Sequence, residues 1–277
     1  MPISASLLRS RQIRFTERWI TALNRTGRSG RLTAALRSVP GLPNLIIGYR
    51  RCFASLAEAQ KGLGAHAGGG HNNAGNIAVH AEMSERPRES DYAAFYHLQS
   101  RAAAVHSVFD LGGSVGNLYY YYRRYLDWPG DLTWNVMDLP DVMEAGRKIA
   151  AERKADGLSF TADFGNASKC DLLIASGSLH YCEEPLWTMV GRLDSRPRYV
   201  LINRTPLTSG QAFATVQDAG AYRVACMIYN KTDLINGFAA LGYRLVDEWE
   251  AAELSLVLPL FPERSPGPYT GLFLERH

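Results

Sequence analysis

The chain has 277 residues, of which 46% are apolar, so it can bury a sizeable core as one large domain or two small ones. No run approaches 18 uninterrupted apolar residues, which excludes a membrane-spanning helix of ordinary length. The four cysteines lack the paired spacing of a zinc site or a disulfide framework, and such usage is typical of a reducing cytoplasm. We therefore expect a cytoplasmic protein with no metal site.

Positive charge is concentrated at the N-terminus. The first 51 residues contain ten arginines and one acid, so their net charge is +9. The net charge of the whole chain is +3, so the other 226 residues sum to −6. Residues 5–24 have the spacing of a basic amphipathic helix, with Leu8, Phe15 and Trp19 on its apolar side. This helix is expected either to lie peripherally on an anionic inner-membrane surface or to pack on the acidic body. No nucleic-acid partner is expected, because the segment has no recognisable binding module.

A glycine-rich stretch separates this segment from the rest of the chain. Residues 62–76 contain few large apolar side chains and predict a loop, which we interpret as a cap over an acceptor pocket. Histidines 66, 71 and 80 around it fit no familiar metal-ligand spacing. The predicted organisation is a basic N-terminal extension over residues 1–84 and an α/β domain over residues 85–277.

In residues 85–277, short apolar runs alternate with stretches of helical periodicity. The predicted strands cover residues 105–111, 132–137, 158–162, 171–176, 199–203, 243–249 and 269–275. The predicted helices cover residues 89–104, 116–126, 139–155, 184–194 and 231–241. This alternation predicts parallel βαβ units with helices on both faces of one sheet. The last two strands have no helix between them and predict an antiparallel pair.

A glycine-rich turn follows the first predicted strand. Asp110 ends the strand, and Gly112, Gly113 and Gly116 follow before a helix that begins near Asn117. Glycines let the chain turn sharply and let a ligand approach the backbone, and the free N–H groups of the helix end suit a polar or anionic ligand. An acid two residues before the first glycine suits a cationic group such as an amino-acid ammonium. The pattern departs from the dinucleotide fingerprint, in which the first glycine directly follows the strand.

Three further strands end in polar residues at the edge where ligands of open parallel sheets bind. Asp138, followed by Leu139, can accept hydrogen bonds from both ribose hydroxyls of an adenosine, a role shared by nicotinamide and methyl-donor sites. Asp163 can read an adenine amino group, with Phe164 beside the ring. The next strand ends in Ser176, Gly177 and, three residues on, His180, which completes the set.

The four candidate residues Asp110, Asp138, Asp163 and His180 can also have purely structural roles. Asp110, Asp138 and Asp163 are also good helix N-caps. His180 can be a hydrogen-bonded histidine beneath the next helix. The run from Tyr119 to Tyr122 is interpreted as packing, since aromatic side chains contribute heavily to cores.

Several short motifs occur together from about Tyr49 to the C-terminus. They are Gly48-Tyr49, the segment from Phe53 to Ala59, the Gly70-His71-Asn72-Asn73 turn, the sequence FDLGGSVGN at 109–117, WNVMDLP at 134–140, Asn203-Arg204-Thr205-Pro206, Thr215-Val216-Gln217 and the aromatic stretch from Tyr222 to Tyr229. In this combination the chain resembles class I S-adenosylmethionine-dependent methyltransferases. More narrowly, it is similar to a small bacterial family of methyltransferases met among surface-polysaccharide genes.

The resemblance implies a Rossmann-like fold with a seven-stranded, mostly parallel sheet, an antiparallel C-terminal strand and helices on both faces. It implies S-adenosyl-L-methionine as cofactor, with Asp138 at the ribose and Asp163 with Phe164 at the adenine. The resemblance implies that the methionine part of the cofactor is bound by Asp110, Gly112, Gly113, Ser114 and Gly116. We add the neighbouring Asn117, Leu139, Ser176 and Gly177 to the predicted cofactor site. One departure is Ser114, which stands where the common loop has its middle glycine.

Two residues are predicted to act on the acceptor. The DLP element at 138–140 and the Leu179-His180 pair resemble those of small-molecule O-methyltransferases, which implies that His180 is the general base. The resemblance is imperfect, because Tyr181-Cys182 replaces the Asp-Trp usual in those enzymes. Arg204 follows the fifth strand and can hold a carboxylate or phosphate of the acceptor, unless it pairs with a structural acid.

The predicted activity is O-methylation of a small-molecule or sugar or glycan hydroxyl. Three alternatives stay open: N-methylation, a non-catalytic protein that keeps the fold as a binding or scaffold partner, and a nicotinamide-dependent enzyme. The position of Asp110 before the glycines and the antiparallel final strand pair argue against the nicotinamide reading.

Overall fold

Two β-sheets organise the part of the chain that the computed structural model describes, residues 48–63, 87–218 and 223–276. The strands are Gly48–Tyr49 (β1), Ser107–Leu111 (β2), Thr133–Met137 (β3), Leu158–Phe160 (β4), Leu172–Ser176 (β5), Tyr199–Thr205 (β6), Leu207–Thr208 (β7), Phe213–Asp218 (β8), Arg223–Asn230 (β9), Tyr243–Leu256 (β10) and Gly267–Arg276 (β11). The α-helices are Leu56–Lys61 (α1), Glu89–Gln99 (α2), Asn117–Tyr125 (α3), Pro140–Glu152 (α4), Leu186–Gly191 (α5) and Lys231–Ala239 (α6).

The larger sheet has seven strands in the order β10-β11-β6-β5-β2-β3-β4. The pairs from β6 to β4 are all parallel, and β11 runs antiparallel to both of its neighbours. Parallel strands covered on both faces are continuously apolar, and β5 follows this rule with buried side chains from Leu172 to Ala175. The predicted Rossmann-like α/β fold with a reversed final strand is therefore confirmed.

Each face of this sheet has its own hydrophobic core. Val108 and Phe109 are neighbours in β2 but enter different cores, because side chains alternate along a strand. Helices α2 and α3 cover the first core, and α5 and α6 cover the second. The predicted packing role of the tyrosine run is confirmed, since Tyr119, Tyr121 and Tyr122 of α3 are buried in the first core.

A second, four-stranded sheet in the order β1-β8-β9-β7 is absent from the predicted elements. β1 and β7 have two residues each, which is too short for a periodic signal. β8 is buried on nearly every residue, so it lacks the apolar–polar alternation by which a half-buried strand is recognised. A buried ion pair between Arg50 and Asp218 ties the chain after β1 to the end of β8.

Element boundaries differ most from the predictions at two places. Helix α2 ends at Gln99, and residues 102–104 form a separate 3₁₀ turn, so the predicted helix to residue 104 is too long. Strand β10 continues to Leu256 rather than ending at Trp249, because β11 pairs with it along its length through two irregularities in register.

The domain division at residue 85 stays a prediction. Residues 48–63 supply β1 and α1, and both elements contact β8. The amphipathic segment 5–24, most of the glycine-rich loop, the three histidines around it, the Gly70–Asn73 turn and Tyr222 lie outside the described residues. Among the helices that the structure describes, none is long and apolar enough to cross a membrane.

Candidate functional site

The glycine turn after β2 is shaped by two close approaches. Gly112 has φ +71°, and a Cβ placed on it collides with the side chain of Ser178. A Cβ on Gly113 collides with the carboxyl group of Asp110. The turn is held by a hydrogen bond of 2.7 Å from the N–H of Gly112 to the carbonyl of Met137. Both positions therefore require glycine, and the backbone lies directly over the Asp110 carboxyl group.

Asp110 is fully buried at the carboxyl end of β2, with 0% of its surface exposed. Its Oδ2 accepts a hydrogen bond of 3.1 Å from Nε1 of Trp134, whereas Oδ1 has no partner among the described residues. Burial raises the pKa of this carboxyl group to about 7, and the Trp134 hydrogen bond opposes the rise. The residue before α3 is Gly116, so the N-cap alternative for Asp110 is wrong. A buried carboxylate oxygen without a partner fits a ligand with a cationic or N–H group.

Ser114 and Asp138 tie the glycine turn to the end of β3. Ser114 has φ +56°, in the left-handed region that favours glycine. Its N–H donates a 2.8 Å hydrogen bond to Oδ2 of Asp138, and Oδ1 of Asp138 accepts one of 2.7 Å from the N–H of Leu139. Helix α4 has Leu139 at its N-cap position, so Asp138 does not cap that helix. The half-buried carboxylate therefore holds the glycine turn against the end of β3.

Asp163 has the geometry of a cap, the structural alternative predicted for it, and Phe164 packs against the core. Oδ1 of Asp163 accepts a 2.8 Å hydrogen bond from the N–H of Gly165 and caps the 3₁₀ turn over residues 164–169. The ring of Phe164 packs edge-on against that of Phe109, with centroids 5.5 Å apart. Neither residue lines the cavities described next. Their contact with an adenine stays a prediction.

Two cavities meet at the glycine turn. The first has a volume of about 240 Å³ and is lined by Tyr49, Arg88, Asp110, Gly112, Gly113, Ser114, Asn117, Leu118, Tyr121, Ser176, Gly177, His180, Tyr181, Arg204, Gln217, Leu254 and Tyr269. The second has a volume of about 360 Å³ and is lined by Leu111, Gly112, Ser114, Met137, Asp138, Leu139, Val142, Gly177, Ser178, Tyr181 and Cys182. Gly112, Ser114, Gly177 and Tyr181 line both, so one elongated ligand can occupy the two.

Most of the predicted cofactor residues lie in these walls. Asp110, Gly112, Gly113, Ser114, Asn117, Asp138, Leu139, Ser176 and Gly177 all line one cavity or both. Gly116 does not line either, and it shapes the start of α3 with φ +92°. The Oδ1 atom of Asn117 is a second buried polar atom without a partner among the described residues. The ends of β2, β3 and β5 therefore meet at one edge of the sheet, as parallel pairing requires.

His180 lies in the wall of the first cavity, on a 3₁₀ turn over residues 179–181. It is 3% exposed, and its ring lies between the rings of Tyr181 and Tyr269, at centroid distances of 4.1 Å and 6.0 Å. An imidazole in the wall of a polar cavity can accept a proton from a ligand hydroxyl. Its predicted role as base stays a prediction.

Arg204 forms the buried ion pair that the sequence left as an alternative. Its Nη1 lies 2.8 Å from Oδ1 of Asp91, and its Nη2 donates a 2.7 Å hydrogen bond to Oγ of Ser176. Burial is the largest single effect and lowers the pKa of Arg204, but Asp91 together with the hydroxyls of Tyr121 and Tyr122 raises it above its ordinary value. The residue has φ +52°, so the chain is bent sharply where the guanidinium enters the cavity wall.

The site residues predicted from the sequence do not include Arg88, Tyr121 and the second-sheet residues of the cavity, or Asp91, which pairs with Arg204. Asp91 lies in α2 and is completely buried, where it accepts hydrogen bonds from the hydroxyls of Tyr121 (3.0 Å) and Tyr122 (3.2 Å). Its position among polar neighbours at the start of a helix predicts an exposed capping residue. Only the packing of α2 against α3 and β6 places it beside Arg204 and Tyr121, which line the cavity.

Comparisons with known proteins find likeness of fold only. No family model and no curated protein matches the sequence. Among solved structures, the O-methyltransferase of neocarzinostatin biosynthesis is 14% identical with a TM-score of 0.42, over 73% of this chain and 60% of that one. The 1,6-didemethyltoxoflavin N1-methyltransferase of Burkholderia thailandensis is 15% identical with a TM-score of 0.47, over 80% and 87%. The magnesium protoporphyrin IX methyltransferase of Synechocystis PCC 6803 is 13% identical with a TM-score of 0.48, over 75% and 97%.

Proposed function

We propose that the protein is an S-adenosyl-L-methionine-dependent methyltransferase that methylates a hydroxyl group of a small molecule, sugar or glycan. The observation that carries the proposal is the buried Asp110, whose free Oδ1 lies beneath a glycine turn at the carboxyl ends of the parallel strands. This arrangement suits an amino-acid ammonium group, and the neighbouring cavity beside Asp138 suits a ribose. The donor supplies a methyl group on a positively charged sulfur when it is bound.

The chain's own residues then have three tasks. Asp110 and the glycine turn hold the cationic amino-acid end, and Asp138 accepts hydrogen bonds from the ribose hydroxyls. His180 takes the proton from the acceptor hydroxyl, because a neutral hydroxyl is a poor nucleophile. The walls of the first cavity exclude water and align the acceptor, which is the main demand of an in-line displacement.

Arg204 is proposed to orient an anionic group of the acceptor. Its side chain has five N–H groups, and three hydrogen bonds, to Ser90, Asp91 and Ser176, account for three of them. The hydroxyl of Tyr121 is a fourth partner, which leaves one N–H group for a ligand, and Arg204 lines the first cavity. This N–H group can bind a carboxylate or phosphate oxygen.

Binding experiments test the cofactor first. Mass spectrometry of the purified protein under native conditions should show co-purified S-adenosylmethionine or S-adenosylhomocysteine, and titration calorimetry should give their Kd values. No binding at millimolar ligand contradicts the proposal and favours a non-catalytic scaffold. A variant in which His180 is replaced without loss of turnover favours an amine acceptor, since a neutral amine needs no base to attack.

A peripheral membrane location is the remaining part of the proposal, and it rests on the sequence of residues 5–24. Arginines beside Phe15 and Trp19 suit a surface of anionic lipid, which would bring the enzyme to a lipid-linked glycan at the cytoplasmic face. Flotation of the full chain and of a variant without residues 1–40 on anionic vesicles tests this. Equal flotation of the two proteins would contradict the membrane contact and favour the alternative in which residues 5–24 pack on the acidic body.

A further inference from the structure

Part of the first cavity is built from residues that contribute nothing to the glycine turn. Tyr49 comes from β1, Gln217 from β8 and Tyr269 from β11, and Tyr181 follows His180. We call these four residues the polar wall. They are contiguous, because Tyr49 and Gln217 are partners in the β1–β8 register.

The polar wall surrounds His180. The hydroxyls of Tyr49 and Tyr269 lie 2.7 Å apart, and the hydroxyl of Tyr181 donates a 3.0 Å hydrogen bond to Oε1 of Gln217. The His180 ring stacks obliquely on Tyr181 and meets Tyr269 edge-on. An acceptor hydroxyl that reaches His180 therefore brings its neighbouring atoms against these two hydrogen-bonded pairs.

The tyrosine pair has one proton to spare. Each hydroxyl carries one O–H donor, and the mutual hydrogen bond uses only one of the two. Burial raises the pKa of Tyr269 to about 12 and that of Tyr49 well above its ordinary value, so both hydroxyls keep their protons at neutral pH. The second proton has no acceptor among the described residues, and both rings line the cavity. The pair also keeps oxygen lone pairs that can accept a hydrogen bond.

Gln217 supplies two more donors. Its Oε1 is engaged by Tyr181, and its amide hydrogens have no acceptor in the part of the chain that the structure describes. The polar wall therefore offers three N–H or O–H donors together with phenolic oxygen atoms. A hydroxyl group donates and accepts at once, so neighbouring hydroxyls match such a mixed surface.

We propose that the methyl acceptor is a polyhydroxylated molecule and that the polar wall binds the hydroxyl groups next to the one facing His180. This inference rests on the proposed function and narrows its substrate class. A phenol with a single hydroxyl has no neighbouring groups to satisfy Gln217 and the tyrosine pair, and a site whose donors stay unpaired once the ligand covers them discriminates strongly against such a ligand. Tyr49, Gln217 and Tyr269 are then specificity-determining residues.

A matched pair of probes tests the substrate class. D-Glucuronate and 4-hydroxybenzoate each carry one carboxylate and at least one hydroxyl, so both satisfy Arg204, but only the sugar acid has adjacent hydroxyls. Saturation-transfer NMR on the protein saturated with S-adenosylhomocysteine should show binding of D-glucuronate at millimolar concentration and at least about tenfold weaker binding of 4-hydroxybenzoate. Equal or tighter binding of 4-hydroxybenzoate, or no binding of D-glucuronate, overturns the inference.

Variants of the polar wall give a second, independent measurement. The double variant Tyr49→Phe/Tyr269→Phe removes the hydroxyl pair, and Gln217→Glu keeps the oxygen that accepts from Tyr181 but removes the amide donors. Each should weaken D-glucuronate binding about tenfold and leave the Kd of S-adenosylhomocysteine within about twofold. Tyr243→Phe is the matched control, because its buried hydroxyl donates to the carbonyl of Pro197 outside the cavity.

The outcomes separate the inference from the proposed function. Unchanged D-glucuronate binding in both polar-wall variants overturns the inference alone. Failure of the wild-type protein to bind S-adenosylhomocysteine overturns the proposed function and the inference with it. Because Gln217→Glu is nearly isosteric, it keeps the test decisive if the double tyrosine variant does not fold.

Discussion

Nη1 of Arg204 lies 2.8 Å from Oδ1 of Asp91, and this buried ion pair joins helix α2 to the end of β6, where Arg204 lines the first cavity. Asp91 is 0% exposed and also accepts hydrogen bonds from two tyrosines of α3. Three elements are therefore held together by one carboxylate. The position of Arg204 in the cavity depends on a residue 113 positions away in the sequence.

Removing the Asp91 charge should destabilise the protein strongly. Asp91→Ala leaves the Arg204 guanidinium buried without its partner, and breaking one side of a buried pair costs about 3–5 kcal/mol. Urea unfolding should show this loss in the free energy of unfolding. Glu144→Gln is the control, because Glu144 is exposed and its ion-pair partners among the described residues are Arg147 and Lys148 of its own helix, so the stability change should stay within about 0.5 kcal/mol. Equal effects of the two variants would contradict the assigned role of Asp91.

Asp110 should make stability depend on pH. Burial raises its pKa from 3.8 to about 7, so between these values the folded protein holds a proton that the unfolded chain has released. Stability from this group is complete below about pH 4 and is lost as the pH rises through 7. At 1.36 kcal/mol per pH unit the loss is at most about 4 kcal/mol. The Tm values of the wild type and of Asp110→Asn should therefore be similar at low pH, and at pH 8 the variant should have the higher Tm.

Binding of the donor should have the opposite dependence on pH. A cationic amino-acid end favours ionised Asp110, so the affinity for S-adenosylhomocysteine should rise between pH 6 and pH 8, across the Asp110 pKa of about 7. Asp110→Asn should bind more weakly and lose most of this rise. Calorimetry at the two pH values gives both results, and an unchanged pH dependence in the variant argues against contact between Asp110 and the ligand.

His180→Ala should reduce turnover far more than donor affinity. A positioned general base contributes about 10²–10⁴-fold to the rate, whereas the proposed donor contacts lie elsewhere in the cavity wall. The assay is methyl transfer to an acceptor that the wild type methylates, combined with the Kd of S-adenosylhomocysteine. His106→Ala serves as the control, since His106 is exposed and pairs with Asp131. Losses of similar size in rate and affinity would falsify the role of base.

Ser114 should tolerate glycine but not a β-branched residue. A φ of +56° costs a non-glycine residue about 1–2 kcal/mol of stability, and replacement by glycine removes this cost. Glycine also increases the conformational entropy of the unfolded chain, which offsets that stabilisation. Ser114→Gly should therefore keep a Tm close to that of the wild type and bind S-adenosylhomocysteine at least as tightly. Ser114→Val should lower the Tm by several degrees, because a β-branched side chain is a severe outlier in this region. A weakened donor affinity in Ser114→Gly would instead assign a binding role to the hydroxyl.

Local signals sufficed wherever one segment carries the whole pattern. The buried strand β5, the helix α3 and the glycine turn each follow from neighbouring residues, since strand burial, helical periodicity and glycine requirements are local properties. The strand-end placement of Asp110 and Asp138 followed as well, because parallel strands bring their carboxyl ends to one edge. The sequence around Asp163 is compatible with both a cap and an adenine contact, and in the structure Asp163 has the geometry of a cap.

The amino-acid sequence by itself determined the order of the strands and helices of the larger sheet, the glycine turn and the acids that end the parallel strands. Only the tertiary structure decided that Asp91 pairs with Arg204, that the hydroxyl of Tyr49 meets that of Tyr269, and that a second sheet closes the cavity. The physical reason is distance along the chain. Tyr49 and Tyr269 are 220 positions apart, and their contact depends on the packing of both sheets, which no local propensity encodes.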